Sequence, residues 1–302
     1  MSDLLHIPKQ KKNKSTGLTV MGWILLVGFF VYVLIFLFPI IWSIYTAFKS
    51  PYHFILDPIG FPSKPTFSNF TTVFREFYFV HTRPEGQVKI KLGAMYLNSV
   101  LYSLGTAFIS TATCCCVGYV TAIFKWKFSK FLNALVLVIM IVPIVGSLPA
   151  QLELMRSLHL YDTMTGVYLT TFSFTGINYL IFYAAFEQLP RGFIEAGKID
   201  GASNMKIFLK LMFPMVGGIF FTLLLQAFIG RWNDYQTAMM WLPRYPTVAT
   251  GIYSFSFSQS GAISNVPMKL TGCMLLLIPI LVLFLLFHKR LLVNLTMGGL
   301  KE

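Results

Sequence analysis

The stretch Met21-Gly-Trp-Ile-Leu-Leu-Val-Gly-Phe-Phe-Val-Tyr-Val-Leu-Ile-Phe-Leu-Phe-Pro-Ile-Ile-Trp-Ser-Ile-Tyr-Thr-Ala-Phe48 contains no charged residue, and none occurs from Ser15 to Phe48. A helix needs about 20 predominantly apolar residues to cross the hydrocarbon core of a bilayer. This run exceeds that length, so it reads as a membrane span. Within lipid every backbone polar group must be satisfied inside its own segment or in a closed barrel. The alternating pattern of a barrel strand is absent here, which leaves a helix.

Five further apolar runs fall within 97–124, 131–148, 166–186, 211–230 and 270–287. The expected architecture is therefore an all-α polytopic membrane protein of six transmembrane helices. Composition agrees: 56% of residues are hydrophobic, 12% are charged, and mean hydropathy is +0.68. A soluble domain carries roughly 25% charged residues to wet its surface.

The net charge of +13 invites a nucleic-acid reading. Its placement argues otherwise. Lys9, Lys11, Lys12 and Lys14, then Lys125, Lys127 and Lys130, then Lys289 and Arg290 flank the apolar runs. There, basic residues anchor spans and set topology. Cys114, Cys115, Cys116 and Cys273 lie inside apolar runs. Consecutive helical positions point about 100° apart, so the three adjacent thiols cannot converge on one metal. No metal site is expected.

Basic residues concentrate on the side that holds both termini, residues 125–130 and residues 187–210, which makes that side cytoplasmic. The resulting organisation is a cytoplasmic tail over 1–20 and a transmembrane domain over 21–287. A second tail covers 288–302. External loops are expected at 49–93 and 231–269, both longer than simple turns need. The first span is too long for a signal-peptide core and should stay as an uncleaved anchor.

Between the fourth and fifth runs lies Glu187-Gln-Leu-Pro-Arg-Gly-Phe-Ile-Glu195-Ala-Gly-Lys-Ile-Asp200-Gly201-Ala-Ser-Asn-Met-Lys-Ile-Phe-Leu-Lys-Leu-Met-Phe-Pro214. Pro190 suits a first helical position. Gly201 is a stop able to take positive φ, and Ser203 can cap the next helix. Met205, Phe208, Leu209 and Met212 recur at helical spacing. The expectation is a short helix, a break, and a second helix leading into the fifth span. Two uses fit such a segment on physical grounds: a knob that enters a groove on another protein, or an amphipathic helix lying on headgroups.

The run Glu195-Ala-Gly-Lys-Ile-Asp-Gly201-Ala, with Ile207-Phe208 and Pro214, resembles the EAA loop of bacterial ABC importer permeases. The Ile-Asp-Gly-Ala form is typical of carbohydrate importers of the maltose type. Pro65–Phe70, Tyr96-Leu-Asn98-Ser99, Leu160-Tyr-Asp162-Thr163, Trp232-Asn233-Asp234-Tyr235 and Gly298-Gly299-Leu-Lys301 resemble further family segments in order and spacing. The likeness covers nearly the whole chain and is nearest to the second permease of such systems. Gly197 departs from it, standing where alanine is usual.

The resemblance implies the type I importer permease fold, with a coupling helix between spans four and five. It implies a multi-pass protein of the bacterial cytoplasmic membrane, paired with a second permease. Glu195, Ala196, Gly197, Ile199, Asp200, Gly201 and Ala202 would contact a cytoplasmic ATPase dimer. Trp232, Asn233, Asp234 and Tyr235 would lie near a docked external lipid-anchored binding protein that delivers a saccharide. The chain holds no G-x-x-x-x-G-K-[ST] sequence. ATP and Mg would therefore belong to the partner ATPase, and this chain is expected to be neither an enzyme nor a cofactor binder.

Polar groups inside lipid face the bundle interior, where they join helices or line a path. Asn98, Asn178, Tyr179 and Gln226 are candidates for a path, since amides, hydroxyls and aromatic faces bind sugars. Helix packing is the alternative for each. No Asp, Glu, Lys, Arg or His stands in the middle of a run. An ion-coupled secondary transporter, the rival reading, commonly carries such groups.

Overall fold

The computed structural model describes residues 20–83, 86–142, 146–257 and 265–297. Lysines 9, 11, 12 and 14 and the C-terminal match at 298–301 lie outside them. α1 (Val20–Thr46) is followed by α2 (Pro51–Leu56), α3 (Ser68–Glu76) and a hairpin of β1 (Tyr78–Arg83) and β2 (Gly86–Lys91). α4 (Leu92–Ile123), α5 (Lys127–Ile141), α6 (Ser147–Ser157), α7 (Met164–Thr170) and α8 (Ile177–Glu187) come next. α9 (Gly192–Ile199) and α10 (Asn204–Ile207) lead through a π-helical turn, Phe208–Met212, into α11 (Phe213–Asn233). α12 (Tyr235–Trp241), α13 (Val248–Phe257) and α14 (Val266–Met297) complete the described chain.

Four helical stretches among the described residues are long and apolar enough to cross a membrane: Val20–Thr46, Leu92–Ile123, Asn204–Asn233 and Val266–Leu286. The other two expected spans are each divided, the third between α5 and α6 and the fourth between α7 and α8, so four of the six stand as single long helices. α5 stops at Ile141, and Gly146 sits at φ +83° before α6 begins. The fourth run breaks between α7 and α8, where Gly176 adopts φ +112°, a conformation open to glycine and strained for residues with a Cβ. The last helix runs on to Met297 rather than ending near Phe287.

The broken pair nevertheless travels beside α4 in the same direction. Tyr168 Oη donates to the Leu101 carbonyl at 2.8 Å, Tyr179 Oη donates to Thr121 Oγ1 at 2.9 Å, and Lys125 meets Glu187 at 3.4 Å. From Leu101 to the end of α4 at Ile123 the helix rises about 33 Å, comparable to the hydrocarbon core. The pair therefore covers the length of one span.

α4 is the central post. Cys114, Cys115 and Tyr119 pack with Tyr179, Phe182 and Phe186 of α8 and with Val216, Phe220 and Leu223 of α11. Lipid tails are as apolar as these side chains, so association rests on close packing and interhelical hydrogen bonds rather than on water exclusion. α1, by contrast, is exposed along its length and buried only at Thr46.

A second core joins the loops to the helix ends. Val73 and Phe77 pack with Leu92 and Met95 of α4, Val248, Ile252 and Phe255 of α13, and Met268 and Leu275 of α14. The segment 231–269, expected as a loop, thus holds two packed helices. Asn69 fixes the end of α1 by donating from Nδ2 to the carbonyls of Ala47 at 2.8 Å and Lys49 at 2.7 Å. Lys49, fully buried, donates to the Asp57 carbonyl at 2.7 Å. Asn69→Ala would strip a buried donor from two carbonyls, a cost of about 1–3 kcal/mol. A lowered unfolding temperature of the purified protein in detergent is expected. An unchanged one would mean water replaces the amide.

Candidate functional site

The elbow between α8 and α11 is built by local chemistry. Arg191 is the N-cap of α9 and Pro190 lies just outside it, two residues before the first helical position, Gly192, rather than at that expected place. At the far end Gly201 takes φ +75°. Its N–H donates to the Lys198 carbonyl at 3.0 Å, and the Ala202 N–H donates to the Gly197 carbonyl at 2.9 Å. This is the Schellman pattern, which satisfies two orphan carbonyls through a left-handed residue. Ser203 Oγ then accepts from the Lys206 N–H at 3.3 Å and caps α10. The Gly201 stop and Ser203 cap therefore stand where the residue types place them. The π turn is an addition that helical spacing does not reveal. Phe213 N–H reaches back to the Phe208 carbonyl, and Pro214 has no N–H to offer the next one.

One face of the elbow is buried. Ile194 and Gly197 lie against α10, and a Cβ at Gly197 would stand 3.0 Å from Ile207 Cγ1 and 3.2 Å from Leu211 Cδ1. The glycine that departs from the usual alanine is thus where α9 and the following turn approach most tightly. The opposite face is open and apolar: Ile199 is 86% exposed, Met205 65% and Phe193 45%. Ala196 is exposed beside them, and Glu195, Lys198 and Asp200 form a charged rim. Exposed apolar residues inside a polar rim mark an interaction surface.

The elbow's base is clamped to the bundle by rings. Phe208 lies 4.6 Å from Tyr119 of α4, 6.4 Å from Phe186 of α8 and 6.2 Å from Phe213 at the start of α11. Densely packed contacts transmit displacement because interiors have low compressibility. Force on the exposed face would reach α4, α8 and α11 together.

The remaining candidates divide. Asn98 Nδ2 donates to the Pro246 carbonyl at 3.1 Å, and neighbouring Ser99 Oγ accepts from Val248 N–H at 2.7 Å, so this pair holds the start of α13. Tyr179 is fully buried, with its hydroxyl bonded to Thr121 and Asn133 across three helices. Asn178 is half-buried and Gln226 exposed. Trp232 is buried, its Nε1–H donating to the Leu276 carbonyl at 3.1 Å. Asp234 accepts from Thr237 N–H at 2.9 Å and from Tyr102 Oη at 3.3 Å. Tyr235 stacks on Tyr253 with centroids 4.3 Å apart, and Asn233 is exposed. The turn before α7 is tied down by Asp162, buried at φ +59°, which accepts from Arg244 N–H at 3.0 Å and pairs with its guanidinium. That hydrogen bond, and then the carboxylate charge, hold the Arg244 pKa above its ordinary value.

Residues 115–294 match the family model described as the binding-protein-dependent transport system inner membrane component. The arabinooligosaccharides transport system permease protein AraQ of Halalkalibacterium halodurans is 26% identical over 287 residues, covering 93% of this chain and 97% of the relative. The trehalose/maltose transport system permease protein MalG of Thermococcus litoralis is 25% identical over 283 residues, covering 92% and 96%. The crystal structure of a bacterial ABC transporter involved in the import of the acidic polysaccharide alginate contains a chain that superposes with TM-score 0.72 at 19% identity. The match covers 89% of this chain and 96% of that one. With long apolar helices, an elbow of this form and a family match over more than half its length, the chain is a multi-pass membrane protein belonging to the inner membrane components of binding-protein-dependent transport systems.

Proposed function

We propose that the chain is a permease subunit of an ATP-driven importer that moves a saccharide across the bacterial cytoplasmic membrane. The observation that carries this reading is the open apolar face of the elbow, joined through buried rings to three membrane helices. The permease names of the AraQ and MalG relatives support the saccharide class.

In this reading α9 is the coupling helix. Ile199, Ala196 and Phe193 enter a groove on a cytoplasmic ATPase, with Glu195 and Asp200 at its rim. Gly197 lets α9 lie close on the next helix, and Gly201 with Ala202 sets the turn. ATP and Mg bind the ATPase dimer, so hydrolysis falls to that partner. A second permease covers the open flank, and an external lipid-anchored binding protein delivers substrate near Asn233 and Tyr235.

Both termini are cytoplasmic, and α5–α6 and the α7–α8 pair supply the third and fourth of six crossings. Broken helices at membrane depth are tolerated where they are buried in protein or line a watery cavity. The break at 171–176 therefore supports a path there, with Asn178 and Gln226 as lining residues. Asn98 and Tyr179 serve instead to shape its walls.

Reconstitution with the partner subunits in vesicles tests this. Saccharide uptake should require ATP and persist when proton and sodium gradients are collapsed. Uptake driven by a gradient without ATP would overturn the reading.

A further inference from the structure

We propose that the turn between α4 and α5 is a binding site for one anionic phospholipid, whose phosphate sits among Lys125, Lys127 and Lys130 and whose acyl chain lies in the adjoining groove. The groove is open, about 520 Å³ in volume, and lined by Val120, Phe124 and Trp126 with Lys125 at its rim. The three lysines are exposed. Among the described residues the only carboxylate paired with any of them is Glu187, 3.4 Å from Lys125.

Their position is electrostatically unfavourable for the protein alone. Trp126 is the N-cap of α5 and makes no side-chain capping bond, and no acidic residue occupies the first turn. A helix N-terminus carries roughly half a positive charge, so lysines at 127 and 130 are repelled unless an anion sits there. The turn is held in place regardless, because Ser129 Oγ donates to the Thr121 carbonyl and Trp126 N–H donates to the Phe124 carbonyl at 2.9 Å.

The occupant must be both anionic and apolar. A soluble anion would neutralise the lysines and leave the apolar groove wet. A neutral lipid would fill the groove and leave the lysines uncompensated. Only a negatively charged lipid satisfies both. Basic pockets beside membrane helices are suited to such headgroups. Phe124 also lines a cleft against Arg191 and Glu195 of the elbow, so the lipid would abut the coupling segment.

The test uses the full chain with whatever subunits accompany it on purification, placed in nanodiscs, so it does not depend on transport. Brominated phosphatidylglycerol and brominated phosphatidylcholine are compared as quenchers. The Trp126 signal is isolated by subtracting the Trp126→Phe variant. Quenching by the anionic lipid should be about fivefold stronger at equal mole fraction. The preference should vanish in Lys127→Gln/Lys130→Gln. Equal quenching by both lipids would overturn the proposal, as would none by either, which would mean protein covers the groove. Loss of the preference on adding inorganic phosphate at constant ionic strength would assign a soluble anion and overturn it too.

Discussion

Gly201→Asp is expected to reduce ATP-driven uptake tenfold or more while leaving the protein inserted in the membrane and assembled. Gly201 adopts φ +75°, with open space around a would-be Cβ. A residue with a Cβ there costs about 1–2 kcal/mol, and aspartate is among those that tolerate it best. The turn should therefore survive. What changes is the surface, because a second carboxylate arrives beside exposed Asp200 at the tip proposed to dock on the ATPase. A charge buried without a partner costs about 3–5 kcal/mol, far more than the backbone effect. Gly201→Asn separates the two, having nearly the same shape without the charge, and should retain most uptake. Equal losses in both variants would place the fault in the backbone. Normal uptake in Gly201→Asp would remove the elbow from the coupling role.

The largest structural effect is expected from Gly118→Leu. A Cβ at Gly118 would stand 2.9 Å from Phe182 Cβ and 3.1 Å from the Tyr183 backbone nitrogen. Those are atoms of a neighbouring helix backbone and its first side-chain carbon, which cannot swing away. Overpacking in a close-packed interior costs about 1–3 kcal/mol or more. In lipid, small residues at helix contacts carry much of the association. Gly118→Ala should lower the unfolding temperature moderately, and Gly118→Leu should part α4 from α8 and abolish recovery of folded protein. Wild-type stability in Gly118→Leu would contradict the packing of these helices.

Much of this architecture was legible because its causes are local. Four of the apolar runs became spanning helices, and the ends of the elbow fell at Gly201 and Ser203 through turn and cap chemistry. The features that escaped have partners far along the chain. Lys49 reads as an external basic residue, yet it is buried under a loop whose shape depends on Asp57 and Asn69. The break before α8 hides in an apolar run because hydropathy does not register a single glycine at positive φ. The same is true of the segment 231–269, whose helices are stabilised by contacts with Ser99 and Asn98, the latter 148 residues from its acceptor. Trp232 and Asp234, polar-tipped residues near an expected loop, are spent on holding α11, α12 and α14 together.

Site-directed cross-linking gives the most direct test of the coupling surface. In a chain with its four cysteines replaced, Ile199→Cys places a thiol on the most exposed part of the elbow. The complex purified with its ATPase should cross-link to that subunit from residue 199, and the ATPase should shield the thiol from a water-soluble maleimide. Ile141→Cys, 81% exposed at the end of α5, should do neither. A thiol at 199 that reacts equally with and without the ATPase, and forms no cross-link to it, would contradict the account.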